Sequence, residues 1–191
     1  MNNVIVADIF GQTPALTALS DRVSADKIVD PYDGKIMSFD NEAQAYSYFT
    51  EHVGLDDYVD KLIQVIQECP EEVTLIGFSV GASAIWQLSA STSKHKGKMA
   101  KGAICFYGSQ IRHQTDLSPK FDIKLILPKN ESHFDVCALQ KLLDNKQRVT
   151  IIQVNYLHGF MNPHSNNFSQ AGYAEYVALL QQGSLSIRTT E

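Results

Sequence analysis

The chain has 191 residues, enough for one domain that buries roughly 70% of its unfolded surface without a covalent staple. Hydrophobic residues make up 44% and charged residues 19%, the balance of a folded globular protein rather than a disordered or fibrous one. A formal charge of -5 argues against nucleic acid as the main partner, because phosphate binding needs a basic face.

No apolar run approaches the roughly 20 residues that a membrane helix needs. The opening MNNVIVADIF lacks a positive start and is interrupted by Asp8, so a secretion signal is not expected either. Cys69, Cys105 and Cys137 lie far apart with no C-x-x-C pairing, which argues against a disulfide framework or a metal site. The expected setting is the cytoplasm.

VIVAD at 4–8 reads as a short buried strand broken by Phe10-Gly11. Thr13-Pro14 is a helix-start signal, a capping hydroxyl followed by proline at the first helical position, and ALTALSDRV is the helix behind it. KIVD at 27–30 is a second strand, closed by the turn pairs Asp30-Pro31 and Asp33-Gly34. From Asp40 and Asn41 to Pro70 the pattern is helical, with Leu55, Tyr58, Val59, Leu62, Ile63 and Ile66 recurring at three and four residues and Gly54 dividing the run. VTLIG is a strand, ASAIWQLSAST a helix, GAICFYG at 102–108 a strand and DIKLIL at 122–127 another. The basic cluster KHKGKMAK at 94–101 reads as a solvated helix end, where cations offset exposed carbonyls. FDVCALQKLLDN at 134–145 is a helix, RVTIIQV at 148–154 a strand and SQAGYAEYVALLQQ at 169–182 a closing helix.

Strands apolar on both faces, alternating with helices, predict an α/β fold: a mostly parallel sheet covered by helices on both sides. Ligands of such sheets gather outside the carboxyl ends of the strands. One of those ends carries GFSVG at 77–81, a serine between two glycines where a strand passes into a helix. A G-x-S-x-G pentad arises by chance in roughly one chain in fifteen of this length, so its setting has to carry it. Strand before and helix after is the setting of a nucleophile elbow, which puts Ser79 forward as a nucleophile.

A serine hydroxyl needs a base to take its proton. His158, just past RVTIIQV and followed by Gly159, sits at another carboxyl end; His133 is its competitor, while His52, His95, His113 and His164 read as surface residues. The imidazole in turn needs an acid. Glu131, after DIKLIL, is the better placed, and Asp135 is the alternative although it stands where a helix cap is expected. The oxyanion donors are expected from the Val80 amide and from the loop at Ile9 and Phe10, each such donor contributing about 2.7 to 4 kcal/mol to a transition state. Phe10, Phe78, Phe134, Phe160 and Met161 are candidates for the walls of a shallow apolar site.

Taken together these segments resemble the dienelactone hydrolase family of the α/β-hydrolases. VIVADIFG resembles its oxyanion-loop segment, GFSVGAS its elbow, GAICFYG its strand ending in Tyr-Gly, with Tyr107 facing the substrate, and YLHGF its histidine loop. The resemblance implies a three-layer α/β-hydrolase fold over 1–191, hydrolysis of a small ester or lactone, and no metal or cofactor. Two residues depart from the namesake enzymes: Ser79 stands for a cysteine, and Glu131 for an aspartate. The usual preceding strands look absent, and the dozen residues SQIRHQTDLSPK leave no room for a lid domain, so short acyl esters are expected. A thioesterase, a small peptidase or a hydrolase-like binding protein without turnover remain as alternatives. No membrane partner is expected, and a free sheet edge leaves a homodimer open.

Overall fold

The computed structural model describes residues 2–91 and 100–185. Six strands form one sheet in the order β2-β1-β3-β4-β5-β6: β1 Asn3–Val6, β2 Ala25–Val29, β3 Thr74–Phe78, β4 Gly102–Phe106, β5 Asp122–Leu127 and β6 Val149–Gln153. All five pairings are parallel, so the sheet goes beyond the "mostly parallel" expectation. Parallel neighbours require crossovers, and α-helices supply all but the one from β4 to β5: α1 Pro14–Arg22, α2 Glu42–His52, α3 Gly54–Glu68, α4 Val80–Ala90 and α5 Val136–Leu143, with α6 Gln170–Gln181 the last described helix.

Alternation along the strands explains the two helical layers. Val4, Val6, Leu75, Ala103, Cys105, Ile123 and Leu125 pack into one core with Tyr58, Leu62 and Ile66 of α3, Ile85 and Trp86 of α4, and Leu139 of α5. Ile5, Ile76, Ile104, Phe106 and Ile126 point the other way, against Leu19 of α1 and Tyr176 and Val177 of α6. Strands buried on both faces have no polar stripe, which is why they read as continuous apolar runs.

The local signals work as sequence chemistry requires. Thr13 caps α1 by accepting from the Leu16 amide, with Pro14 opening the helix; Asn41 caps α2, and Gly54 at φ 75° divides α2 from α3. Between β4 and β5 the chain forms a single 3-10 turn, Ser109–His113, where sequence showed only a loop. The basic stretch 94–99, with His95, lies outside the described residues. No described helix is long and apolar enough to cross a membrane.

Leu62 is fully buried in the larger core. Leu62→Ala is expected to lower unfolding free energy by about 2–5 kcal/mol, read as a lower urea midpoint with an unchanged slope.

Candidate active site

The corner between β3 and α4 is sterically determined. Ser79 takes φ 51°, ψ -113°, outside the comfortable regions for an L-residue. A Cβ at Gly77 would meet Ile85 and the backbone of Ala82, and one at Gly81 would run into the carbonyls of Val6 and Ala7. Only glycine lets α4 lie that close to the sheet. Three hydrogen bonds fix the apex: the Ser79 amide donates to Phe106 O at 3.0 Å, and the amide and hydroxyl of Ser83 each donate to Ser79 O at 3.1 Å.

Two loops converge on that apex. Glu131 follows β5 and His158 follows β6, and the loops are joined where the Lys129 amide donates to Tyr156 O at 2.7 Å. Asn167 Nδ2 donates to His158 O at 3.0 Å, fixing the backbone of the histidine. His158 Nδ1 lies 2.7 Å from Glu131 Oε1, and His158 Nε2 lies 3.0 Å from Ser79 Oγ. A carboxylate only accepts, so Nδ1 carries the ring proton and Nε2 is left to accept from the serine hydroxyl. The Glu131 side chain is 8% exposed and that of His158 28%, so the pair is only partly screened by water. Asp135 is the cap of α5, its Oδ1 accepting from the Cys137 amide at 2.8 Å. His133 is exposed on the rim.

Ser79 opens into a cleft of about 760 Å³ at the carboxyl ends of the strands. The Val80 amide, first of α4, has no intrahelical acceptor, and no described group accepts from the Ile9 amide. Both residues line the cleft.

The sequence profile of the dienelactone hydrolase family matches residues 4–182. The chain belongs to that family. The uncharacterized protein YczH of Bacillus subtilis (strain 168) is 32% identical over 157 residues, 81% of this chain and 75% of YczH. Among solved structures, the dienelactone hydrolase-like promiscuous phosphotriesterase P91 from metagenomic libraries superposes with TM-score 0.65 at 13% identity, covering 97% of this chain and 86% of that one. Est1E from Butyrivibrio proteoclasticus, solved with ferulic acid, gives TM-score 0.62 at 7% identity over 97% and 88%. At such identities the likeness speaks for the fold, and family membership makes this chain a hydrolase of the α/β class.

Three expectations for this dienelactone hydrolase family member need correction. The Phe10 amide donates to Asp8 Oδ1 at 2.9 Å, so it is not free as an oxyanion donor, and Ile9 is the remaining amide of that loop; the Phe10 ring does line the cleft and stacks over His164. Phe160 is wholly buried in the smaller core against Phe106 and Tyr176, because the turn at Gly159 drives it inward beneath the histidine loop. Phe78 stacks on Phe106 at 5.1 Å and, with Met161, borders a separate cavity of about 20 Å³ instead of the cleft. The walls are accordingly more polar than the apolar site expected, with Gln110, Asn130, Asn162 and Asn167 beside Phe134. Tyr107 does border the cleft, its ring 4.9 Å from that of His158; its buried hydroxyl finds no partner, the Met161 backbone approaching without reaching hydrogen-bond geometry.

Two residues of the site escaped the sequence reading. Tyr32 donates to Ile9 O at 2.6 Å, so the Ile9–Phe10 peptide is pinned at its carbonyl by Tyr32 and at its N–H by Asp8. Nothing in a turn sequence announces so distant a contact. Asp8 was visible only as a charge interrupting an apolar strand. It keeps an edge on the cleft, yet its carboxyl is enclosed and accepts from Phe10 and from Asn162 Nδ2 at 2.6 Å. Burial raises its pKa above the ordinary 3.8, against the opposing pull of Asn162, Phe10, His158 and His164. The folded chain therefore holds a proton that the unfolded chain has released, and this contribution to stability is lost as pH rises from the unfolded value through the folded one. The stability of the wild type relative to Asp8→Asn is expected to fall as pH rises above the ordinary carboxyl value of 3.8, measured by urea unfolding of both; a constant or growing difference would contradict the burial argument.

Proposed function

We propose that this hydrolase is a serine enzyme that cleaves a small carboxylic ester or lactone through Ser79, His158 and Glu131. The observation that carries this reading is the unbroken chain of contacts, 3.0 Å from serine oxygen to imidazole and 2.7 Å from imidazole to carboxylate. Both lengths lie within hydrogen-bond reach, as proton transfer demands.

His158 Nε2 takes the proton of Ser79 as Oγ attacks the acyl carbon. Glu131, accepting from Nδ1, stabilises the imidazolium that results. The carbonyl oxygen becomes an oxyanion between the amides of Val80 and Ile9, which need no reorganisation because helix and pinned loop already hold them. Collapse expels the alcohol oxygen, which takes its proton from His158, and leaves an acyl-serine. Water then attacks with His158 as base, and the carboxylic acid leaves as Ser79 recovers its proton. A lactone follows the same course and opens to a hydroxy acid.

Cleft shape bears on substrate size. Only a 3-10 turn stands between β4 and β5, and Phe78 and Phe160, two of the rings expected in the walls, are spent in the core. An open cleft of mixed polar and apolar lining, without a tunnel of rings, favours short acyl groups.

Ser79→Ala is expected to lower kcat by about a million-fold, and a fluorophosphonate should label the wild type at Ser79 alone by mass spectrometry. Glu131→Gln should cost about 10³ to 10⁴ in kcat with little loss of stability, whereas Asp135→Asn should lower stability by at most about 1 kcal/mol and spare kcat. Across para-nitrophenyl esters from acetate to decanoate, kcat/KM should decline with chain length; a steady rise would overturn the short-acyl assignment.

A further inference from the structure

Three carboxylates line the cleft, and two of them are already engaged. Glu131 accepts from His158, and Asp8 accepts from the Phe10 amide and from Asn162. Glu42 is the third. It opens α2, and no hydrogen bond or ion pair among the described residues reaches its carboxylate. Arg112, the only lysine or arginine in the lining, is held elsewhere: it donates to Ser109 O at 2.6 Å, and its guanidinium carbon stands 5.1 Å from the centre of the Phe134 ring.

The first turn of a helix favours an acid, because its free amides carry a partial positive charge. That accounts for a carboxylate at this position of α2, but not for the direction in which it leans. Glu42 is half-buried, and a Cβ placed on Gly159 would lie 3.8 Å from its Oε1. The charge is therefore turned toward the histidine loop, beside the residue that follows His158, rather than out into water. Tyr46 comes one helical turn later on the same face and also lines the cleft. Its hydroxyl accepts from Gln110 Nε2 of the β4–β5 connection at 3.3 Å, while the residue stays 46% exposed. A free carboxylate and an accessible aromatic ring one turn apart are the two elements that hold an ammonium group.

We propose that Glu42 and Tyr46 receive a positively charged ammonium group in the alcohol part of the substrate, so that the enzyme selects esters of amino alcohols. The proposal deepens the serine-hydrolase reading and rests on it. The alcohol part is assigned because His158 returns the proton to the leaving oxygen, and Glu42 lies against the loop that carries His158. A metal cation does not suit the place, since among the described residues no three His, Cys, Asp or Glu side chains come together to hold one. An organic ammonium needs no such set: one carboxylate balances its charge, and a ring face takes its methyl or methylene groups. The formal charge of -5 favours its approach.

The test compares isosteres that differ in charge alone, because a ratio within a pair is insensitive to a general loss of activity. Acetylcholine and 3,3-dimethylbutyl acetate place the charged or neutral centre in the alcohol. Para-nitrophenyl 4-(trimethylammonio)butyrate and para-nitrophenyl 5,5-dimethylhexanoate place it in the acyl group. The wild type should cleave acetylcholine with the higher kcat/KM, and Glu42→Gln should lower the ratio of acetylcholine to its isostere by about five-fold or more. Tyr46→Leu should lower the same ratio by about two-fold. Raising sodium chloride from about 0.05 M to about 0.5 M should reduce the wild-type ratio and leave that of Glu42→Gln unchanged. A ratio that Glu42→Gln does not move, even where both rates fall, overturns the proposal, and a change confined to the acyl pair overturns the assignment to the alcohol part. Binding is followed separately by NMR titration of the Ser79→Ala protein with choline and 3,3-dimethylbutan-1-ol, with and without Glu42→Gln. Glu42-dependent binding of choline to a protein whose wild type turns over no ester would sink the serine-hydrolase reading and keep the cation site. Ester turnover with neither a Glu42-dependent ratio nor Glu42-dependent binding would do the reverse.

Discussion

Ser79 is held at φ 51°, ψ -113°, a backbone conformation that costs a residue other than glycine about 1–3 kcal/mol and persists only where its surroundings leave no alternative. Those surroundings can be named. Phe106 O receives the Ser79 amide, Ser83 returns two hydrogen bonds to the Ser79 carbonyl, and the strands on either side bury the residues before the corner. The same constraint brings β1 into the site. With no side chain at Gly81, α4 rests directly on the carbonyls of Val6 and Ala7, so the loop that follows β1 necessarily emerges beside the helix start. Two free amides, Val80 and Ile9, thus come to the rim of one cleft as a consequence of a packing distance.

The other half of the site depends on loops, and hydrogen bonds between loops replace what a sheet provides for strands. The loop after β5 is joined to the loop after β6 through Lys129 and Tyr156, and the loop after β6 is joined to the loop after β1 through Asn162 and Asp8. Each contact spans segments that are remote in sequence. The imidazole is therefore placed by its backbone tie to Asn167, by Glu131 on one ring nitrogen and by the Tyr107 ring beside it, with Ser79 as the remaining neighbour. A side chain so restricted arrives near attack geometry without ordering cost at the time of reaction.

What the sequence could reveal follows from how far each interaction reaches. Strand and helix positions depend on short continuous apolar runs, on apolar residues recurring every three and four positions and on caps one to three residues away, so β1 to β6 and the caps at Thr13 and Asn41 were legible. Ser79, His158 and Glu131 were legible as neighbours because each follows the carboxyl end of a strand, and parallel strands put those ends on one edge. The side chains that line the cleft were not. Phe78 ends β3 and shares the inward face of Ile76, an alternation the strand pattern carries, whereas Phe160 has the same chemistry as Phe10 and Phe134 and is turned inward by a loop that no pattern encodes. The loss of the Phe10 amide to Asp8 is of the same kind, a local turn that uses up a donor.

The division between what is rigid and what is variable also separates chemistry from selectivity in this molecule. The elbow is fixed by glycines and by the sheet, and any substitution there disturbs the core. The 3-10 turn that carries Arg112 connects β4 to β5; Ile111 anchors it in the larger core, while Arg112 is held by Ser109 O and by the ring of Phe134. Its outward side chains can change without moving Ser79, since none of the hydrogen bonds that define the corner comes from them. A charge presented on that segment sits beside the cleft while remaining outside the machinery that strains the serine. Substrate preference can therefore diverge among proteins that share this corner while the positions of the serine, the imidazole and the two amides stay as the sheet dictates.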